Sequence, residues 1–252
     1  MTRALDARAV SPHSRPAMQL SVRDAARLLD TTERAIYRWI AEGAIPCHRV
    51  QDQYRFNRAE LLEWATAHGL RVSVEIFQSL DARDARGAGF ADSLDRGGIH
   101  YDVPGEDRAD VLRAVVALLP VPDGPGAVDR DFLYQVLLSR EAQCSTGVGD
   151  GIALPHVRHP VVLHAPEPSI TLCFLARAVD FAALDGKPVH TLFTIISDTT
   201  RTHLHLLSRL SASLHDPAFR ALVARRAPAA VLLADARRVE TSFPRPGGGP
   251  AA

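Results

Sequence analysis

The sequence predicts an α/β domain preceded by a small, mainly helical one. Three observations carry that expectation. The 252 residues exceed the commonest single-domain size and suit two domains. Residues 19–69 read as helix, turn, helix, hairpin, helix, whereas beyond residue 89 helical stripes alternate with β-rich runs. An apolar fraction of 46% and a charged fraction of 23% belong to a globular chain and exclude a fibre or a wholly disordered one.

The elements follow in chain order. Residues 1–18 contain no apolar stretch and carry Asp6, so a disordered leader is expected, not a secretion signal. Ser21 and Asp24 have capping-box spacing ahead of the stripe Val22, Ala25, Ala26, Leu28, Leu29. Thr31 and Thr32 stand where a second helix, ERAIYRWIAEG, is capped; Ile36, Trp39 and Ile40 share its face and Gly43 closes it. IPCHRVQDQYRF reads as two short strands with a turn at Gln51 to Gln53. Asn57 and Glu60 are placed to cap a third helix, RAELLEWATAH, stopped by Gly69. Residues 70–88 are expected to be a linker.

The larger domain is expected over residues 89–240. Leu112, Val115, Val116 and Leu119 stripe one helix, PVPDGPG is a loop, and Phe132, Leu133, Val136 and Leu137 stripe the next. Two strand-like runs, SITLCFLA and VHTLFTIIS, precede a helix starting near Thr202. Residues 241–252, TSFPRPGGGPAA, are expected to be a disordered tail.

Charge and cysteine usage narrow the function classes. The 29 basic and 29 acidic residues cancel, so no global field attracts nucleic acid or membrane, and any such contact must come from a local patch. Cys47, Cys144 and Cys173 are odd in number and form no C-x-x-C pair, which argues against a disulfide scaffold and fits a reducing cytosol. No run approaches the roughly 18 apolar residues of a spanning helix. A cytoplasmic protein without membrane insertion is therefore expected.

In the small domain, two short helices joined by a tight turn have the geometry that lays a recognition helix in the major groove. The outward face from Thr32 carries Glu33, Arg34, Tyr37 and Arg38, and Arg49 and Arg55 flank the hairpin tip. Thr32, Arg34, Tyr37, Arg38, Arg49 and Arg55 are thus the candidate DNA contacts, although any one surface arginine is usually only solvated. From Leu20 to Trp64 the chain resembles the excisionase-type helix-turn-helix, a relative of the MerR winged-helix DNA-binding fold. The matching features are Ser-x-x-x-Ala-Ala-x-x-Leu, Tyr-Arg-Trp-Ile, Gly-x-Ile-Pro and Tyr-Arg-Phe. The QDQ tip departs from the glycines often found there. Ten Arg against eight acidic residues up to Leu70 is a weak positive balance, so specific binding is expected to need a homodimer.

In the large domain, GDGIALPHVRHP places His156 behind a proline at the end of a short apolar run. Pro155 is expected to end strand pairing and turn the histidine outward. A histidine that accepts a phosphoryl group needs an exposed neutral ring nitrogen, donors for the phosphate and a nearby positive charge. Candidates for these lie close by in sequence: Arg140 at a helix end, then Ser145, Thr146, Gly149 and Asp150 lining a phosphate pocket. His203 sits on the stripe of Leu207, Leu210 and Leu214 near a helix start, where anions are favoured. Singly, each residue is more often a cap, a turn or core filler.

Together, Arg140-Glu141, Ser145-Thr146-Gly147, Gly149, Gly151 to His156, Asp180 to Val189 and His203-Leu204 with Leu207 resemble one family. Residues 130–235 are similar to the fructose/mannitol-type EIIA domain of the bacterial phosphotransferase system, including its nitrogen-regulatory branch. The resemblance implies a mixed β-sheet flanked by helices, no organic cofactor and no required metal. It also implies that His156 receives its phosphoryl group from phospho-HPr and passes it to an EIIB domain, with Arg140 and His203 lining the same pocket. Val157-Arg158 depart from the family pattern, and Asp150 is expected to add a negative charge close to the acceptor. The plentiful histidines, His156, His159, His164, His190, His203 and His205, offer a competing metal reading, but helical spacing speaks against His203 and His205 chelating together, and no carboxylate or cysteine falls at a zinc-ligand interval.

Three roles fit these readings. One is a DNA-binding transcription regulator that responds to phosphorylation of His156; a second is a phosphocarrier for sugar transport; a third is a sensor that binds partners by phosphorylation state. No EIIB-like or membrane segment accompanies the domain, and the fused DNA-binding-type unit favours the regulator.

Overall fold

The computed structural model describes residues 19–50, 53–68, 70, 89–121, 129–156, 167–197 and 199–243. The expected leader, most of the expected linker, the hairpin tip at Gln51 and Asp52, part of the PVPDGPG loop, Val157 through His164, and residues 244–252 lie outside them.

The small domain runs β1 (Gln19–Leu20), α1 (Val22–Leu28), α2 (Glu33–Ala41), β2 (His48–Val50), β3 (Gln53–Asn57) and α3 (Arg58–Ala67). Its sheet has the order β1-β3-β2, antiparallel throughout. The capping box forms: the Ser21 hydroxyl accepts the Asp24 N–H at 3.2 Å, and the Asp24 carboxylate accepts the Ser21 N–H at 3.1 Å. The Ser21 hydroxyl also holds the Asp24 carboxyl below its ordinary range. Thr32 caps α2, its hydroxyl accepting the Ala35 N–H at 3.2 Å, a contact of the kind that contributes about 1 kcal/mol. Leu28, Ile36, Phe56, Leu61 and Leu62 make the core, and Trp39 meets Trp64 edge to face at 5.2 Å. Strand β1 was not expected; two residues are too few to show a period.

The large domain continues with α4 (Phe90–Gly97), β4 (Ile99–Val103), α5 (Arg108–Leu118), α6 (Arg130–Gln143), β5 (Gly147–Gly149) and β6 (Ile152–Ala153). It ends with β7 (Ser169–Val179), β8 (Val189–Ile196), α7 (Thr200–His215), α8 (Pro217–Ala224) and α9 (Ala229–Ser242). The sheet is mixed, in the order β4-β7-β8-β6-β5. Strand β4 runs parallel to β7 and β6 parallel to β8, whereas β7/β8 and β5/β6 are antiparallel.

Strand periodicity divides the core into two layers. Cys173, Leu175, Leu192 and Ile196 face α5 and α6, while Leu172, Phe174, Phe193 and Ile195 face α4, α7, α8 and α9. Gly97 ends α4 so close to the sheet that a Cβ there would stand 2.1 Å from the Ile170 carbonyl oxygen. Glu240 of α9 accepts the N–H groups of Phe90 at 2.6 Å and Ala91 at 3.2 Å, capping α4 from 150 residues away.

Some boundaries differ from expectation for clear reasons. Helix α7 begins at Thr200, because the Thr199 hydroxyl takes the Thr202 N–H at 3.1 Å. Helix α9 extends to Ser242, into the expected tail, because Phe243 is buried with the Arg209 guanidinium 4.7 Å from its ring centroid. Phe132, placed on the buried stripe of α6, is instead exposed; Tyr134 takes the core position beside Leu133 and Leu137. Helix α3 of the small domain packs against α7 and β5, and Leu61, Leu62 and Ala65 share one apolar cluster with Leu206, Leu207 and Leu210.

Candidate functional site

Strand β6 is only two residues long, and the chain leaving it decides the site. Leu154 N donates to the Thr146 carbonyl at 2.9 Å, which continues the β5/β6 pairing one residue further. Pro155 has no N–H to give, yet it does not end the pairing as expected. His156 re-enters as a parallel bridge to Ile195 of β8, because proline removes one donor and leaves the extended path intact.

His156 does not present the exposed ring that the sequence suggested. The residue is 3% exposed and packs against His203, itself 2% exposed, with ring centroids 5.2 Å apart and planes inclined by 32°. Its Nδ1 lies 2.6 Å from the Leu154 carbonyl oxygen. A carbonyl can only accept, so Nδ1 carries the hydrogen, and in the neutral ring Nε2 keeps the lone pair. One backbone contact thus sets both the tautomer and the tilt of the imidazole.

The other candidates fall into two groups. Arg140 is buried at the end of α6, with Nη1 donating to the Cys144 carbonyl at 2.7 Å on the connection into β5. Ser145 donates to the Phe181 carbonyl at 2.6 Å and accepts the Gly147 N–H at 3.0 Å. Thr146 commits its N–H and its hydroxyl to Glu141. Gly147 lies so near Ala183 that a Cβ would come within 2.6 Å of that methyl, so the 181–187 loop rests on β5. Arg140, Ser145 and Thr146 therefore belong to the end of β6 that carries Leu154, His156 and His203.

Gly149 and Asp150 lie at the opposite end of β6. Gly149, Asp150 and Gly151 have φ of 89°, 49° and 72°, three left-handed residues in succession. Asp150 is half-exposed, bound by Lys187 at 2.8 Å and by Arg220, and its N–H donates to Asp185 at 2.8 Å. Its charge is answered by two surface cations and does not sit beside the ring. An open cleft of about 150 Å³ lies there, lined by Val148, Gly149, Asp150, Ile152, Ser211, Leu214, His215 and Arg220. Gly151 touches His190: a Cβ would meet His190 Nε2 at 2.3 Å. Burial pushes the His190 imidazole below its ordinary value, with Arg226 adding to the effect.

Sequence reasoning gave no role to Glu141 or to the Leu154 carbonyl. Glu141 had a signal: with Leu133 and Leu137 it recurs every fourth residue on a buried stripe, where a carboxylate is out of place. Histidines His159 and His164 lie outside the described residues. Among the described residues no group of three or more His, Cys, Asp or Glu is gathered as metal ligands would be. No helix of the described chain is long and apolar enough to cross a membrane.

On the small domain, Thr32, Arg34, Tyr37 and Arg38 are all exposed along α2, although the Thr32 hydroxyl is occupied as the cap. Tyr37 leans edge-on toward Tyr54 at 6.4 Å. Arg49 is exposed on β2, and Arg55 is half-buried, donating to the Tyr54 carbonyl at 3.2 Å and to the Gln53 amide oxygen.

Residues 93–233 match the family described as "Phosphoenolpyruvate-dependent sugar phosphotransferase system, EIIA 2", and residues 20–69 match the helix-turn-helix domain family. The chain is 35% identical over 119 residues to the PTS system fructose-specific EIIABC component of Bacillus subtilis, covering 46% of this chain and 18% of that protein. It is 38% identical over 104 residues to the fructose-specific EIIA component of Haloferax volcanii, covering 40% and 66%. It is 35% identical over 117 residues to a nitrogen regulatory protein of Pseudomonas aeruginosa, covering 45% and 71%. The chain thus spans under a fifth of the Bacillus relative and about two thirds of the other two. Nitrogen regulatory protein IIA-Ntr from Neisseria meningitidis superposes with a TM-score of 0.49 at 24% identity, covering 58% of this chain and 97% of that one.

Proposed function

The chain belongs to the EIIA 2 family of the phosphotransferase system and carries a helix-turn-helix domain, and from that premise we propose that it is a DNA-binding regulator controlled by phosphorylation of His156. The observation that carries this reading is the His156 ring itself. Its Nδ1–H is tied to the Leu154 carbonyl, which leaves Nε2 as the nucleophile. The Nε2 lone pair attacks the phosphorus of a phosphohistidine donor, phospho-HPr in this family. A new P–Nε2 bond forms as the donor's P–N bond breaks, and the electron pair of the broken bond returns to the donor's ring. The proton stays on Nδ1, hydrogen-bonded to the Leu154 carbonyl, throughout. His203, near the positive end of α7, and Arg140 are the groups suited to the phosphoryl charge. Because the pair is buried, the His156 ring must become accessible to the donor before transfer.

A route from the acceptor to DNA is also supported. Helix α7 carries His203 and packs against α3 of the helix-turn-helix domain, so a charge added at His156 bears on the helix that seats the DNA-binding unit. Arg34, Tyr37 and Arg38 on α2 would face the groove, with Arg49 and Arg55 on the hairpin toward phosphates. The fructose-specific relatives favour a second reading, in which the domain relays phosphate to an EIIB domain for sugar uptake.

The test is a binding assay on genomic fragments with the full chain, unphosphorylated or phosphorylated through HPr, beside His156→Ala and Arg38→Ala. The regulator reading expects salt-sensitive binding that phosphorylation changes, that His156→Ala renders unresponsive, and that Arg38→Ala weakens. Phosphorylation of His156→Ala at the wild-type rate would overturn the acceptor. Binding to no fragment, together with restored sugar uptake in a strain lacking its own EIIA, would establish the carrier instead.

A further inference from the structure

Helix α6 ends in Arg140-Glu141, and Glu141 is the more deeply placed of the two. It continues the stripe of Leu133 and Leu137 and is 3% exposed. A carboxylate in such a place persists only if its oxygens are hydrogen-bonded. Both oxygens accept the Thr146 N–H at 3.2 Å, and Oε2 also accepts the Thr146 hydroxyl at 2.5 Å. Burial pushes the Glu141 carboxyl above its ordinary range, opposed by the Thr146 donors and by Arg140.

Thr146 in turn holds the next residue inward. Its carbonyl accepts the Leu154 N–H at 2.9 Å, and the Leu154 carbonyl accepts the His156 Nδ1–H at 2.6 Å. Successive hydrogen bonds therefore join a buried carboxylate on α6, across the β5/β6 edge, to the imidazole. Every link beyond the Glu141 side chain is backbone until the ring is reached, so displacing Thr146 displaces the carbonyl that orients His156.

We infer that Glu141 is a positioning residue for phosphoryl acceptance: it anchors Thr146 and, through Leu154, sets the orientation and tautomer of the His156 ring. This rests on the reading of His156 as the acceptor. A role confined to holding α6 against β5 would alter stability and leave the ring unchanged.

The experiment uses the full chain labelled with ¹⁵N in its histidines, with His156 resonances assigned by His156→Ala. Wild type is expected to show the Nδ1–H tautomer. Glu141→Gln keeps the shape but loses the charge and one acceptor. It is expected to shift His156 toward the Nε2–H form and to slow single-turnover phosphorylation from phospho-HPr on the order of tenfold, as displaced catalytic groups do. Thr146→Val, which retains the backbone N–H, is expected to shift the ring in the same direction by less. The double variant is expected to be no slower than Glu141→Gln alone, because the two act in series. An unchanged tautomer and rate in Glu141→Gln with a lowered melting temperature would overturn the inference, as would fully additive losses in the double variant. Should Glu141→Gln not fold, the Thr146→Val spectrum decides by the same criterion. If wild type accepts no phosphoryl group, the acceptor reading fails by itself, and the tautomer spectra still decide whether Glu141 sets the ring.

Discussion

The two ends of strand β6 have opposite chemistry although they belong to one short motif. At the Asp150 end the backbone is left-handed for three residues and the charges are on the surface, answered by Lys187 and Arg220. At the His156 end the groups are buried and tied by hydrogen bonds to main chain, from Glu141 through Thr146 and Leu154 to the ring. Residues six positions apart thus work under different rules. A charge at the first end is screened by water, whereas a misplaced dipole at the second is not. Proximity in sequence to His156 is therefore a poor guide to sharing its surroundings.

Substitutions at the two ends sharpen that contrast. The largest effect is expected from Gly151→Ala. The new Cβ would meet His190 Nε2 at 2.3 Å, and φ of 72° already strains any side chain, so a loss of about 2–4 kcal/mol should appear in urea denaturation. A smaller effect concerns pH. The His190 imidazole is lowered from 6.5 in the folded chain, so the unfolded chain binds its proton more readily. Stability from this group is complete above that unfolded value and lost as pH falls toward and through the folded one. His190→Gln should flatten this part of a denaturation series taken from about pH 8 to about pH 5. The smallest change is expected from Asp150→Asn, under about 1 kcal/mol and weaker still in high salt, because its partners are exposed. That variant should also accept phosphate at the wild-type rate. A marked fall in labelling would mean that the two ends are coupled after all.

Helix-turn-helix elements were legible because their signals are local. Ser21 with Asp24, Thr32 with Ala35 and Gly43 at φ of 65° each act within one turn of chain, and the structure realises them. Strands β7 and β8 were legible from β-branched and aromatic runs. Phe132 was misplaced because neighbouring apolar residues on α6 offer two stripes, and only contact with α5 and the sheet selects one. For the site, the residue types were legible and their depth was not. Burial of His156 depends on α7, which arrives more than forty residues later in the chain.

By itself, then, the sequence determined the helix caps and the strand runs and singled out a histidine behind a proline, since capping and periodicity act over a few residues. Tertiary structure alone decided that Asp150 is tied to surface cations, that His203 covers His156, and that Glu141 reaches the ring through Thr146 and Leu154. Those outcomes depend on which distant segments share a dry interior, where hydrogen bonds are strong and unpaired groups costly.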